Sequence, residues 1–317
     1  QRTKELINGW DNDTEYGSSK GFNNFVGNNQ VDIIIGGPPC QGFSNMGNKN
    51  SADPRNLLFE SYAKIVDEIR PTCFLFENVK GLWRTARHRQ YFEELKTMLH
   101  NAGYCTTEKL VNALEFGVPQ DRERILLFGV KADILSKNSK NGFNIVDFPW
   151  EAHAQYQIDV IKNCDWIEKS PFAVDSNFPQ PQNIIPELTV QHWFDRNDVL
   201  HHQNGTDFFA PKAGLQRMLT VAEGDVSKKC YKRLHRWRYS PKAAYGNNEV
   251  HLHPYKARRL SVSEALAIQS LPKEFVLPSE LSLSDKFKTI GNGVPYLLAL
   301  SIAKTIKEYI VGNVDNV

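Results

Sequence analysis

Val31-Asp32-Ile33-Ile34-Ile35-Gly36-Gly37-Pro38-Pro39-Cys40-Gln41-Gly42-Phe43-Ser44 is the stretch on which the fold turns. Four of its first five residues are β-branched, and the run stops at two glycines and two prolines. That pattern reads as a buried strand ending abruptly in a stiff loop. Outward from it, Arg55 to Arg70 carries apolar residues at 58, 59, 62, 65, 66 and 69, which is helical spacing, and Pro71 closes the helix. Cys73 to Phe76 reads as a second buried strand. His88 to Asn101, with Tyr91, Phe92, Leu95 and Leu99, reads as a second amphipathic helix, capped at Gly103. Arg124 to Val130 reads as a third strand. Strand, helix, strand, helix, strand at this spacing predicts an α/β fold with a parallel sheet.

The alternation fades after about residue 140. Residues 145–255 hold eight prolines and many Asn, Gln and His, and predict a second, smaller domain that is irregular and β-leaning. Helical pattern returns at Ser261 to Leu271 and at Pro295 to Ile310. The expected division is 1–145 plus 275–317 against 146–274. A chain of 317 residues with 41% hydrophobic and 23% charged residues fits a globular protein, and it has no apolar run long enough for a membrane helix. The five cysteines, at 40, 73, 105, 164 and 230, form no Cys-x-x-Cys pair, which speaks against a disulfide framework or zinc ribbon and for a reducing, cytoplasmic setting. His201-His202 and His251-x-His253 have no second ligand pair at zinc spacing, so no metal is expected. The first residue is Gln1 and not Met, and the chain reads as a trimmed piece of a longer one.

Net charge is +2, yet residues 211–259 hold twelve Lys/Arg against Glu223, Asp225 and Glu249, a surplus of nine. This block fits either a polyanion partner or a solvated, Lys-rich face. The loop after the first strand lies where open α/β sheets place their ligands. Cys40 there is either a nucleophile or a small buried apolar residue. Glu77, at the end of the second strand, could meet it across the strand ends as an acid or hydrogen-bond donor, or could simply be an acid near a helix start. Arg122 and Arg124 alternate by two and should point the same way in an extended segment, toward phosphate or carbonyl oxygens or toward Asp121 and Glu123.

In order along the chain, these residues resemble the motifs of the DNA (cytosine-5) methyltransferase family. Gly36 to Ser44 is similar to its nucleophile motif, Asp53-Pro54-Arg55-Asn56-Leu57-Leu58-Phe59 to the next, and Glu77-Asn78-Val79 to the one after. Gln120-Asp121-Arg122-Glu123-Arg124 resembles the arginine motif. Arg259-Leu260-Ser261-Val262-Ser263-Glu264-Ala265 with Gln269-Ser270-Leu271-Pro272 resembles the motif that closes the recognition domain, and Gly291-Asn292-Gly293-Val294-Pro295 the last motif. The resemblance runs from about residue 31 to 310 and implies a Rossmann-like, S-adenosylmethionine-dependent methyltransferase sheet with a separate target recognition domain.

It further implies that Cys40 attacks C6 of a cytosine flipped out of double-stranded DNA, that Glu77 holds and protonates N3, and that Arg124 holds the base O2. Arg122 would take phosphate or the neighbourhood of Glu77. Pro38, Leu58, Asn292 and Val294 match positions near the methyl donor. Gln41, Ser44, Val79 and Gln120, with Arg233, Arg236 and Arg238 of the basic block, match substrate-binding positions. Tyr231, Trp237 and Tyr239 lie among those cations. Such enzymes serve restriction-modification systems, act as monomers and work at the nucleoid. RNA-directed relatives have a shorter recognition segment than 145–255. Two departures stand out. Ser263 replaces a usual Arg, which removes one structural ion pair. The Phe-x-Gly-x-Gly donor loop does not precede Val31, so the chain as written is expected to bind the donor poorly. A longer natural chain, a second polypeptide, or a non-catalytic DNA-binding subunit would each explain this.

Overall fold

The computed structural model describes residues 2–27, 29–38, 58–212, 214–228, 230–243, 245 and 249–313. Cys40, Gln41 and Ser44 lie outside the described residues. The chain divides into two compact units, residues 1–111, 123–150 and 306–317 in one, and 112–122 with 151–305 in the other. Residues 112–122 and 275–305 thus group with the second unit, a difference from the boundaries expected above.

The first unit opens with α1 (Arg2–Asn8), the antiparallel pair β1 (Trp10–Asp13) and β2 (Gly17–Ser19), and α2 (Gly21–Val26). Then follow β3 (Ile33–Gly36), α3 (Leu58–Ile69), β4 (Cys73–Val79), α4 (Lys80–Arg84), α5 (Ala86–Asn101) and β5 (Tyr104–Asn112). After β6 (Gln120–Asp121) come β7 (Glu123–Lys131), β8 (Lys140–Asn141) and β9 (Asn144–Ile145). Six strands form one sheet in the order β3-β4-β7-β5-β9-β8.

That sheet is mixed, which corrects the all-parallel expectation. β3 and β4 run parallel, Ile33 opposite Cys73 through Gly36 opposite Phe76. β4 and β7 run antiparallel, Cys73 opposite Val130 through Val79 opposite Arg124. The cause is chain length. β7 follows β5 after residues 113–122 alone, short of the dozen or so residues a parallel crossover needs. β3 is also less buried than its sequence predicts. It ends the strand order, and Ile35 is 67% exposed.

Alternation along β4 sends Phe74 and Phe76 to one face, where neither is exposed. They pack with Phe59, Tyr62 and Val66 of α3, Phe92, Leu95 and Leu99 of α5, and Ile125 and Leu127 of β7. The Tyr62 and Phe76 rings meet edge-on, 5.3 Å between centroids. Each fully buried side chain of this size contributes about 1.5–3 kcal/mol, so β4 is fixed chiefly by its apolar side.

The second unit is irregular, as its prolines predict. It contains α6 (Ile158–Lys162), α7 (Val190–Arg196), α8 (Leu215–Thr220), β10 (Ser240–Pro241), α9 (Val262–Ile268) and α10 (Leu283–Asn292), and the final helix α11 (Tyr296–Asn313) starts there. Its β content is a two-residue pairing of β10 with β6 and three isolated bridges, among the described residues, so it leans on side chains more than on a sheet. α9 is buried along its length and packs with Trp193, Phe194, Tyr245, Phe287 and Ile290. Ser261 and Glu264 cap it reciprocally, Ser261 N–H donating to Glu264 Oε2 at 2.8 Å. Arg258 donates to both Glu264 oxygens, at 2.7 and 2.8 Å. Ser263 donates to the carbonyl of Val199 at 2.9 Å.

Two histidines of this unit are closed off. His251 and His253 are 3% and 1% exposed, and burial lowers the pKa of each to about 3 from the ordinary 6.5. The unfolded chain binds protons near pH 6.5 that the folded unit refuses until about pH 3. Their contribution to stability is thus complete above about pH 6.5 and lost as pH falls toward 3. The thermal unfolding midpoint should drop steeply on acidification through that window, and His251→Gln should flatten the drop. Scanning calorimetry across pH checks this; equal pH dependence in both proteins contradicts it.

Candidate active site

Because β3 and β4 are parallel, their carboxyl ends reach the same edge, and the residues after the Gly36–Phe76 pair are Gly37 and Glu77. A Cβ on Gly37 would stand 2.9 Å from Glu77 Oε2 and 3.4 Å from the Glu77 carbonyl oxygen. Only glycine lets this loop pass so close to the carboxylate. The next carbonyl, of Pro38, accepts from Asn78 Nδ2 at 3.2 Å, while Asn78 Oδ1 accepts from the Val79 N–H at 2.8 Å. The chain entering the Cys40 loop is thereby tied to the end of β4.

Glu77 is held from the other side by Arg124, whose Nε lies 2.6 Å from Glu77 Oε1. Their side chains are 19% and 11% exposed. The antiparallel return of β7 makes the pair. It sets Arg124 opposite Val79, on the same face as Glu77 and one diagonal step away. Had β7 run parallel to β4, its first residues would lie at the far edge of the sheet. Val79 is half-buried beside them.

Arg122 goes elsewhere, a correction to the expectation that both guanidinium groups point one way. The chain breaks between β6 and β7 at Arg122, so the alternation does not carry through. Arg122 is 1% exposed and donates to the carbonyls of Ala243 (3.0 Å), Gly291 (3.0 Å) and Gly293 (2.8 Å). It is enclosed among backbone oxygens of the second unit. Gln120 is likewise fully buried rather than open to substrate, its Oε1 accepting from Ala243 N–H at 3.2 Å. Asp121 accepts from Asn112 Nδ2 at 2.7 Å, and Glu123 takes Lys80 and Arg84.

The carbonyls that Arg122 grips flank Asn292. Gln269 Nε2 donates to Ile290 O at 2.8 Å, and Gly291 lies so close to Tyr245 that a Cβ would meet its backbone nitrogen at 3.0 Å. Asn292 and Val294 stay exposed on this braced turn. An outward amide and an outward aliphatic group suit the polar and apolar parts of a nucleoside. Of the other positions expected near a methyl donor, Pro38 and Leu58 are half-buried in the first unit.

Two of the three recognition arginines are also structural, contrary to expectation. Arg233, not exposed at all, donates to the carbonyls of Val221 (2.9 Å), Lys256 (2.9 Å), His253 and Met218, and lies 3.6 Å over the Phe172 ring. Burial lowers its pKa to about 10. Arg236, 3% exposed, makes a two-pronged pair with Glu223 at 2.8 Å for each prong. Arg238 is half-buried over Tyr239. Trp237 Nε1 donates to Phe178 O at 2.9 Å, Tyr231 sits under Arg217, and Tyr239 stacks edge-on with Trp166. Exposed charge in this block comes from Lys212, Arg217, Lys228 and Lys242. The enclosed cations are arginines, whose planar guanidinium fork captures carbonyls and carboxylates in a way an ammonium does not, while the outward ones are three lysines and Arg217.

Among the described cysteines, burial pushes the Cys73 thiol up to about 12 and raises Cys105 and Cys164. These are poor thiolate nucleophiles. Since Arg122 and Arg233 serve as internal clamps, Arg122→Lys and Arg233→Lys should each lower stability by about 3 kcal/mol, by lost hydrogen bonds and a poorly paired buried charge. Urea denaturation measures this. A loss under about 1 kcal/mol for either would make it a spectator.

A family model described as C-5 cytosine-specific DNA methylase matches residues 11–308. The Type II methyltransferase M.NmeDI of Neisseria meningitidis serogroup C is 53% identical over 278 residues, 87% of this chain and 64% of that protein. M.FnuDI of Fusobacterium nucleatum is 32% identical over 87% of this chain and 76% of its own length. The chain thus spans under two thirds of M.NmeDI. A solved prophage-encoded chain of E. coli superimposes with a TM-score of 0.56 at 22% identity, covering 91% of this chain and 82% of the other, which establishes the shared fold. With a match across nearly its whole length, this chain belongs to the C-5 cytosine-specific DNA methylase family.

Proposed function

We propose that the chain transfers a methyl group from S-adenosylmethionine to C5 of a cytosine flipped out of double-stranded DNA. The observation that carries this is the Glu77–Arg124 pair, 2.6 Å apart, set against Gly37 three residues before Cys40. A carboxyl group and a guanidinium side by side match the N3 and O2 edge of a cytosine.

The Cys40 sulfur, as thiolate, adds to C6 of the everted base. Glu77 gives a proton to N3, so the electrons moved by the addition collect at C5 without negative charge building on the ring. When bound, S-adenosylmethionine would supply the methyl group that C5 takes up, its sulfonium leaving as the thioether S-adenosylhomocysteine; Asn292 and Val294 are the residues we propose to contact the donor. A base then takes the C5 proton, the electron pair left behind re-forms the C5–C6 double bond as the Cys40 sulfur leaves as thiolate, and N3 returns its proton to Glu77. Arg124 keeps its grip on Glu77 throughout and offers its remaining N–H groups to O2.

The cations that face outward in the second unit, Lys212, Arg217, Lys228 and Lys242, supply phosphate contacts in this reading, with Arg238 as the partly accessible recognition arginine. Residues 146–274 act as the recognition segment. A monomeric enzyme of the cytoplasm, working on nucleoid DNA in a restriction-modification system, is the setting we propose. Among the described residues no helix is long and apolar enough to cross a membrane. A second polypeptide gains no support, because the relatives carry the matched region and further sequence in one chain. A non-catalytic DNA-binding subunit is the less favoured reading, since it leaves the Glu77–Arg124 pair without a purpose.

Cys40→Ser should abolish tritiated-methyl transfer to DNA and covalent trapping on a 5-fluorocytosine duplex, while duplex affinity stays within about twofold because phosphate contacts dominate it. Turnover by the variant would remove Cys40 as nucleophile. Trapping by neither protein would sink the reading.

A further inference from the structure

Glu123 precedes Arg124 on β7, so the two side chains leave opposite faces of the strand. Arg124 turns to Glu77, and Glu123 turns to α4. The antiparallel register ends with Val79 opposite Arg124, and α4 begins at the next residue, Lys80. Lys80 Nζ bonds Glu123 Oε2, and Arg84 Nη2 lies 3.4 Å from Glu123 Oε1. Lys80 and Arg84 are four residues apart on α4 and share its face. Two cations rest on one carboxylate, which leaves one positive charge uncompensated.

The arrangement is open on its cationic side. The Lys80 and Arg84 side chains are 48% and 61% exposed, against 23% for Glu123 beneath them. Residues 80–89 hold four Lys/Arg and no Asp/Glu. The neighbouring Arg89 is occupied, 3.4 Å over the Trp83 ring and 2.7 Å from Glu93, so it takes no share of Glu123. Lys80 follows Glu77 by three residues, about 10 Å along an extended strand. A base held at Glu77 has its own phosphodiester one sugar away. Among the described residues, Lys80 and Arg84 on α4 of the same unit are exposed cations placed just past the end of β4.

We propose that Lys80 and Arg84, held upright on Glu123, bind a backbone phosphate of the DNA strand that carries the target cytosine. This rests on the DNA reading above and adds a contact point outside the recognition segment. Glu123 keeps the two long side chains ordered before DNA arrives, and the arriving phosphate supplies the second negative partner. The guanidinium fork can bond it in bidentate fashion while the ammonium adds a point charge.

The test is the binding of the full chain to a mixed-sequence duplex, followed by fluorescence anisotropy over a range of salt concentrations. Lys80→Gln with Arg84→Gln should weaken binding about tenfold at low salt and reduce the slope of log affinity against log salt by about 0.9, the loss of one neutralised phosphate. Lys80→Arg with Arg84→Lys should keep the slope. If the double glutamine variant fails to fold by circular dichroism, Arg84→Gln alone is read by the same criterion. A wild type that binds duplex with a slope these substitutions leave unchanged overturns the phosphate point and leaves the methyltransferase reading standing. A wild type with no affinity for duplex overturns both.

Discussion

One ion pair organises the edge of the first unit where β3 and β4 end. Glu77 and Arg124 can meet only because β7 returns antiparallel to β4, which brings the amino end of one strand to the carboxyl end of the other. Buried phenylalanines fix β4 from behind, and Gly37 passes close to the Glu77 carboxylate because it has no side chain. Each neighbour of the pair then has a determined position. Asn78 fastens the Pro38 carbonyl, and the strand's alternation sends Glu123 to the other face to meet Lys80 and Arg84. The chemistry therefore depends on strand direction as much as on residue identity.

The second unit is held together by different means. It has little sheet, and its order comes from cations turned inward. Arg122 gathers three carbonyls, Arg233 four, Arg236 clasps Glu223, and Arg258 completes the cap of α9 through Glu264. An irregular chain must satisfy many backbone oxygens away from water, and a guanidinium with five donors does so economically in space. This accounts for the prolines, aromatic rings and arginines that occur together between residues 145 and 260.

Much of the first unit was legible in the sequence. The strands and helices of residues 31–131 follow from hydrophobic spacing, and the glycines and Glu77 follow from their place at strand ends. Strand direction was not legible, because periodicity does not encode it and only the short link from β5 to β7 does. The antiparallel turn in the sheet was missed for that reason. In the arginine motif, spacing by two led to a common direction for Arg122 and Arg124, and a strand break at Arg122 separated them. In the basic block, a count of charges could not tell inward from outward cations. Residue type carried much of that information: Arg233 and Arg236 lie among Phe172, Phe178 and Tyr255, while the lysines at 212, 228 and 242 stand in solvent.

This sorting of cations gives the molecule two chemically distinct populations of positive charge. Amine-selective acylation would neutralise the outward lysines of the recognition segment, while the guanidinium clamps beneath, unreactive toward such reagents and enclosed, would go on holding the fold. Lys286, 4% exposed and bonded to Asp207, is shielded in the same manner. Most of the outward positive charge of this unit can thus be removed by covalent labelling while the enclosed guanidinium clamps stay in place.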